Sequence, residues 1–156
     1  LLIEIATLGA LLSHYLPGEI MQSIFHLAFN VSNLDKACDF YTKVLGCQQG
    51  RRSDNWVDFD FFGHQLSLHL GETFAVENKG LVDGVAVPMP HFGVILPIES
   101  WLALAAELER QQLNFVIAPT VRFAGEEGEH HTMFFFDPFG NPIELKSFAD
   151  LTKVFI

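Results

Sequence analysis

A chain of 156 residues supports one domain, or two small halves sharing a core. Acidic residues outnumber basic ones 19 to 9, for a formal net charge of −10, and no basic cluster exceeds Arg51-Arg52; no nucleic-acid partner is expected, because such affinity rests on cationic contacts to phosphate. Cys38 and Cys47 form no CxxC pair and no disulfide scaffold at this size, so a reducing, cytoplasmic setting is expected.

Residues 1–16 are mostly apolar and read as a helix ended by Pro17-Gly18. The run is too short and too interrupted by Glu4 and His14 to span a bilayer, so no membrane partner is expected. Residues 1–20 are taken as an N-terminal appendage, 21–148 as a single domain and 149–156 as a C-terminal tail. Ile24 to Val31 is patterned as a strand. Asn33 can cap a helix carrying Leu34, Ala37, Tyr41, Val44 and Leu45, which Gly46 can close. Strands are expected over Cys47 to Arg52, Trp56 to Phe62 and Gln65 to Leu70, with Gly63-His64 turning the chain between the last two. Gln65, Ser67 and His69 then share a face.

Gly71 to Pro90 reads as a connector. The order then repeats: a strand from His91 to Leu96, a helix from Glu99 to Gln112, a strand from Asn114 to Val121 broken by Pro119, and a Phe-rich hairpin. In that hairpin Asp137-Pro-Phe-Gly-Asn-Pro142 is the turn, and Ile143-Glu-Leu145 sets Glu144 on the opposite face from its neighbours. His130 and His131 are read as part of a solvated loop. The expected class is α+β, with two βαβββ modules over 22–71 and 90–148.

The repeat defines a candidate site. Aligning the two halves sets His26 over His91 and Ser67 over Glu144, one residue from the first and one from the last strand of each half. Taken singly, each would pass for an ordinary strand residue. Their equivalent placement argues that His26, His91 and Glu144 bind a divalent metal. Two imidazoles and a carboxylate with open positions form the set typical of non-haem Fe(II) oxygenases, and Mn, Zn, Ni or Co also suit it. The aromatic load, including Trp56, Phe59, Phe61, Phe134 and Phe136, supplies candidate walls for an apolar pocket.

The motifs FHLAFNV (25–31), LDKACDFYTKVLGC (34–47), HFGVIL (91–96) and MFFFDPFGNPIELKSF (133–148) resemble the vicinal oxygen chelate superfamily, which includes glyoxalase I, fosfomycin and bleomycin resistance proteins, methylmalonyl-CoA epimerase and extradiol dioxygenases. More narrowly, FFGHQLSLHLG (61–71) and residues 122–148 resemble a bacterial group of extradiol-type dioxygenases. The resemblance implies paired modules whose sheets curl around a metal, a small-molecule substrate and a homodimer. It carries His26, His91 and Glu144 onto ligand positions and Ser67 onto the place where glyoxalase I has a further acidic ligand. His64 falls on the segment bearing the acid–base histidine of extradiol enzymes, with His69 its rival for that role. Phe134 stands where such enzymes tend to carry a substrate-binding Tyr. Three activities are therefore carried forward: a catechol-cleaving Fe(II) dioxygenase, a Lewis-acid isomerase, epimerase or lyase, and a resistance-type binding protein without catalysis.

Overall fold

The computed structural model describes residues 23–73, 77, 79–82 and 84–155; the helix expected over 1–16 lies outside the described residues. The chain runs β1 (His26–Val31), α1 (Leu34–Cys38), β2 (Gln48–Arg52), β3 (Trp56–Phe61), β4 (His64–Leu70), β5 (Lys79–Val82), β6 (Val85–Pro88), β7 (Phe92–Ile95), α2 (Ile98–Arg110), β8 (Phe115–Arg122), β9 (His130–Phe136) and β10 (Pro142–Ser147). This is an α+β protein of two βαβββ modules, each with a four-stranded sheet. The strand orders are β1-β4-β3-β2 and β7-β10-β9-β8, so in each module the first strand pairs parallel with the last.

Alternation on β1 sends Leu27, Phe29 and Val31 inward and leaves His26, Ala28 and Asn30 exposed. The Asn33 side chain accepts from the Lys36 amide at 2.8 Å and starts α1, which buries Leu34 and Ala37. The helix widens into π-type turns over Asp39–Val44, and Gly46 leaves it at φ +72°. In α2, Trp101, Ala105 and Leu108 recur along one face and are buried. The Trp101 indole donates to the Leu145 carbonyl at 2.8 Å, fastening α2 to β10. Both modules contribute to one apolar core: Tyr41, Phe59 and Leu66 join Met133, Phe135, Ile143 and Leu145.

Three local expectations change. Phe62 and Gly63 form the two-residue turn, both at positive φ, and His64 is the first residue of β4, paired with Phe61. Pro119 does not break β8: the strand lies at the sheet edge and shifts register between Ile117 and Thr120, where a missing N–H is tolerated. The connector holds a hairpin, β5–β6, whose Val82 carbonyl accepts from Arg122 Nη2 at 2.6 Å.

The thiols differ in reach. Burial, with the charge of Asp60 adding to it, pushes the buried Cys47 up to about 12. Cys38 is half-buried and also raised, by burial foremost, against the lowering charge of Arg52. Titration of native protein with a thiol reagent at neutral pH should modify Cys38 and spare Cys47 until denaturant is added. Rapid labelling of both would contradict this packing.

Candidate metal centre

The site is built on the strands of the second module. β7 and β10 run parallel with Gly93 opposite Glu144. A Cβ at Gly93 would lie 1.6 Å from the Glu144 carbonyl oxygen, so only glycine permits this approach. His91 precedes β7. Its Nδ1 lies 2.8 Å from the Pro88 carbonyl, which can only accept, so Nδ1 carries a proton and Nε2 points elsewhere. That Nε2 lies 3.1 Å from Glu144 Oε2. The other carboxylate oxygen accepts the Thr132 hydroxyl at 2.7 Å and lies 3.4 Å from Lys146 Nζ.

Burial drives the Glu144 carboxyl upward, but the hydrogen bonds from His91 and Thr132 and the charge of Lys146 outweigh it, leaving it below the ordinary carboxylate range. His91 is raised, chiefly by its hydrogen bond to Glu144, with burial opposing and the Pro88 carbonyl adding. Each shift favours the charged form of its group, as contact between an imidazole and a carboxylate produces. A cavity of about 610 Å³ runs along β7, lined by His91 to Ile95 with Glu144 and Lys146, and walled from the first module by Phe25 and His64.

A match to the model of the glyoxalase/bleomycin resistance protein/dioxygenase superfamily spans residues 23–145. The chain belongs to this superfamily. It is 28% identical over 130 residues to "Glyoxylase I 4" of Arabidopsis thaliana, covering 80% of this chain and 70% of that one. A glyoxalase/bleomycin resistance protein/dioxygenase from Alicyclobacillus acidocaldarius superposes with a TM-score of 0.72 at 30% identity, over 86% of this chain and 97% of that one. A fosfomycin resistance protein from Listeria monocytogenes shares the fold at a TM-score of 0.62 and 12% identity, over 86% and 98% of the two chains.

Superfamily members typically bind divalent metal ions. The donor chemistry here fits one: an imidazole nitrogen and a carboxylate meet at the cavity, and the Pro88 carbonyl holds the imidazole by its other nitrogen, as ligating histidines are commonly held. His26 stands exposed on β1, opposite Gln65, and is not among the residues lining this cavity. Among the described residues, no three His, Cys, Asp or Glu side chains stand together as a metal-holding group.

The remaining candidates are dispersed. His64 lines the cavity, and its Nδ1 accepts from the Phe25 amide at 3.3 Å. His69 is exposed, opposite Trp56 on β3 and Asn30 on β1. Ser67 is buried and donates to Asp58 Oδ1 at 2.5 Å. Asp58 in turn takes two hydrogen bonds from Arg51, so this network occupies the first module's counterpart of the Glu144 position. Phe134 is buried with its ring edge-on to His91, centroids 5.0 Å apart, and Phe136 is partly exposed at the end of β9. His130 and His131 lie on β9 rather than in a loop: His130 is buried and touches the rings of Phe123 and Phe148, and His131 meets the Trp101 ring at a tilt, centroids 5.2 Å apart. Sequence reading did not single out Thr132 or Lys146. The signal for Lys146 was present, since strand alternation sets it on the same face as Glu144.

Proposed function

We propose that the protein is a metal-dependent enzyme, an extradiol-type dioxygenase acting on a catechol-like ring. The observation carrying this reading is the His91–Glu144 pair at the edge of a cavity walled by Phe25, Phe92, Val94 and Ile95, whose volume lies in the range of small-molecule sites. His91 Nε2 and the Glu144 carboxylate would hold the metal, Fe(II) foremost, with Mn, Zn, Ni or Co as alternatives, and His26 is the proposed third donor. Support for His26 comes from strand order: Leu27, Ala28 and Phe29 line a cavity of about 180 Å³ together with His91 and Phe92, so the first strands of the two modules border one another. When bound, the metal supplies Lewis acidity and a place for two substrate oxygens.

The protein's own groups do the rest. The apolar walls hold the ring and exclude water. His64 accepts the Phe25 amide at Nδ1, so neutral His64 carries its proton on Nε2, the nitrogen available to exchange it with substrate. His69 remains the alternative proton carrier. A homodimer in the cytoplasm is the proposed setting, and no helix of the described residues is long and apolar enough to cross a membrane.

Iron-loaded protein offered a panel of catechols should consume dioxygen and yield ring-opened products. No uptake across a broad panel, with iron shown to be bound, would remove the dioxygenase reading. Phe134 favours a second reading, because the buried ring beside His91 has no hydroxyl to offer a catechol. In that case the site is a Lewis-acid isomerase, epimerase or lyase, active under strict anaerobiosis with Zn, Ni or Co. Ligand affinity unchanged by Glu144→Ala would instead indicate a binding protein of the resistance type.

A further inference from the structure

We propose that Lys146 binds a carboxylate of the substrate and thereby decides which substrates the cavity accepts; this rests on the reading of that cavity as the substrate site. Lys146 lines the cavity two residues beyond Glu144 on the same face of β10, opposite Thr132 on β9 and Ile95 on β7. Of the lining residues, Glu144 and Lys146 are the Asp, Glu, Lys or Arg side chains. The rest are His64, His91, Gly93 and apolar groups, so a charge on Lys146 acts across a weakly polar space.

The bonding capacity of the two charged groups is unequal. Glu144 already receives His91 on one oxygen and Thr132 on the other. The Lys146 ammonium has three N–H donors and a single ion-pair contact among the described residues, at 3.4 Å, to the oxygen that Thr132 already occupies. The contact is long for a charge-assisted hydrogen bond and leaves donors for a ligand. General surface charge does not account for the residue either: the chain carries 9 basic residues and a net charge of −10. A lone ammonium, with no arginine fork and no helix N-terminus in the lining, supplies a single positive charge, which one carboxylate neutralises.

The test compares two pairs of probes that differ by a carboxylate: catechol with 3,4-dihydroxybenzoate, and hydroxyacetone with hydroxypyruvate. Each is titrated calorimetrically into metal-loaded wild type, Lys146→Met and Lys146→Arg. The carboxylated member of a binding pair should bind about tenfold tighter or more to wild type, as a charge-assisted contact provides. Lys146→Met should erase that preference, read as the ratio of the two affinities within each variant, and Lys146→Arg should retain it. Thermal melts and metal content of the variants report folding and an intact metal site. Equal affinities within both pairs, a preference that survives Lys146→Met, or binding of none of the four probes would overturn the proposal. A Lys146-dependent preference confined to the aliphatic pair would uphold it and defeat the ring-cleavage reading. Catechol cleavage without any carboxylate preference would do the reverse.

Discussion

Glu144→Ala is expected to abolish metal retention. Loss of a group that merely orients a ligand costs about 10–100-fold in metal affinity, so deletion of a proposed ligand should cost more than about 100-fold. Thr132→Val, which removes only the hydroxyl bonded to Glu144 Oε1, should sit nearer about tenfold. The metal-free fold should change far less. Removing Glu144 deprives His91 and Thr132 of an acceptor, yet it also relieves the burial of a carboxylate, and these oppose one another. The measurement is metal content by mass spectrometry on anaerobically purified protein, for wild type, Glu144→Ala and His26→Ala. About one metal per chain in wild type, absent from Glu144→Ala, would establish the carboxylate as a ligand. Loss in His26→Ala as well would make His26 the third donor despite its exposed position. Iron in wild type would direct effort to ring cleavage, and zinc or nickel to Lewis-acid chemistry. Full retention by Glu144→Ala would sink this site.

Much of this arrangement was legible because it is repeated. Aligning the halves equates Ser67 with Glu144 and Ala28 with Gly93, and the strand registers pair Ala28 with Ser67 and Gly93 with Glu144. Alternation alone then assigns faces: Leu27 and Phe29 inward on β1, Ile143 and Leu145 inward on β10, Glu144 on the other side. Other features depend on packing that no local pattern reports. The strands of the β5–β6 hairpin are four residues each, too short for a periodic signal among Gly80, Gly84 and Pro88. Pro119 reads as a breaker until its strand is known to lie at an edge. His64 has the parity of Leu66 and Leu68, and only its position at the end of β4, beside Phe25, turns it toward the cavity rather than the core. The same alternation sets His26 on the exposed face with Ala28 and Asn30; which groups of the second module that face meets is beyond one strand's pattern.

The Asp137-Pro-Phe-Gly-Asn-Pro142 turn, the most distinctive stretch of the sequence, has a structural task that predicts the largest loss of stability. Asp137 is buried, and its Oδ1 accepts the amides of Phe139 and Asn141, both at 2.9 Å. Its Oδ2 accepts Asn141 Nδ2 at 2.8 Å and the Tyr41 hydroxyl at 3.1 Å. Tyr41 belongs to the first module and is fully buried, with its ring against Phe59 and Phe61. The carboxylate therefore closes the β9–β10 turn and ties it to the other module. Asp137→Ala leaves a buried hydroxyl and several turn donors unpaired, each costing about 1–3 kcal/mol with incomplete additivity. The expected loss is about 4 kcal/mol, or roughly 10 °C in Tm for a chain of this size. Tyr41→Phe removes one of the four bonds and leaves the turn donors satisfied, so about 1–2 kcal/mol is expected. Denaturant melts of both single variants and the double variant should give less than the sum of the two, because the Tyr41–Asp137 bond is counted in each. The site is tied to the same turn: it sets the register that pairs Glu144 with Phe134, and a slip of one residue would carry Glu144 to the core face. Asp137→Ala should accordingly weaken metal binding at temperatures where the fold persists. A loss below about 1 kcal/mol, with metal affinity unchanged, would mean that the hairpin holds its register without this clamp.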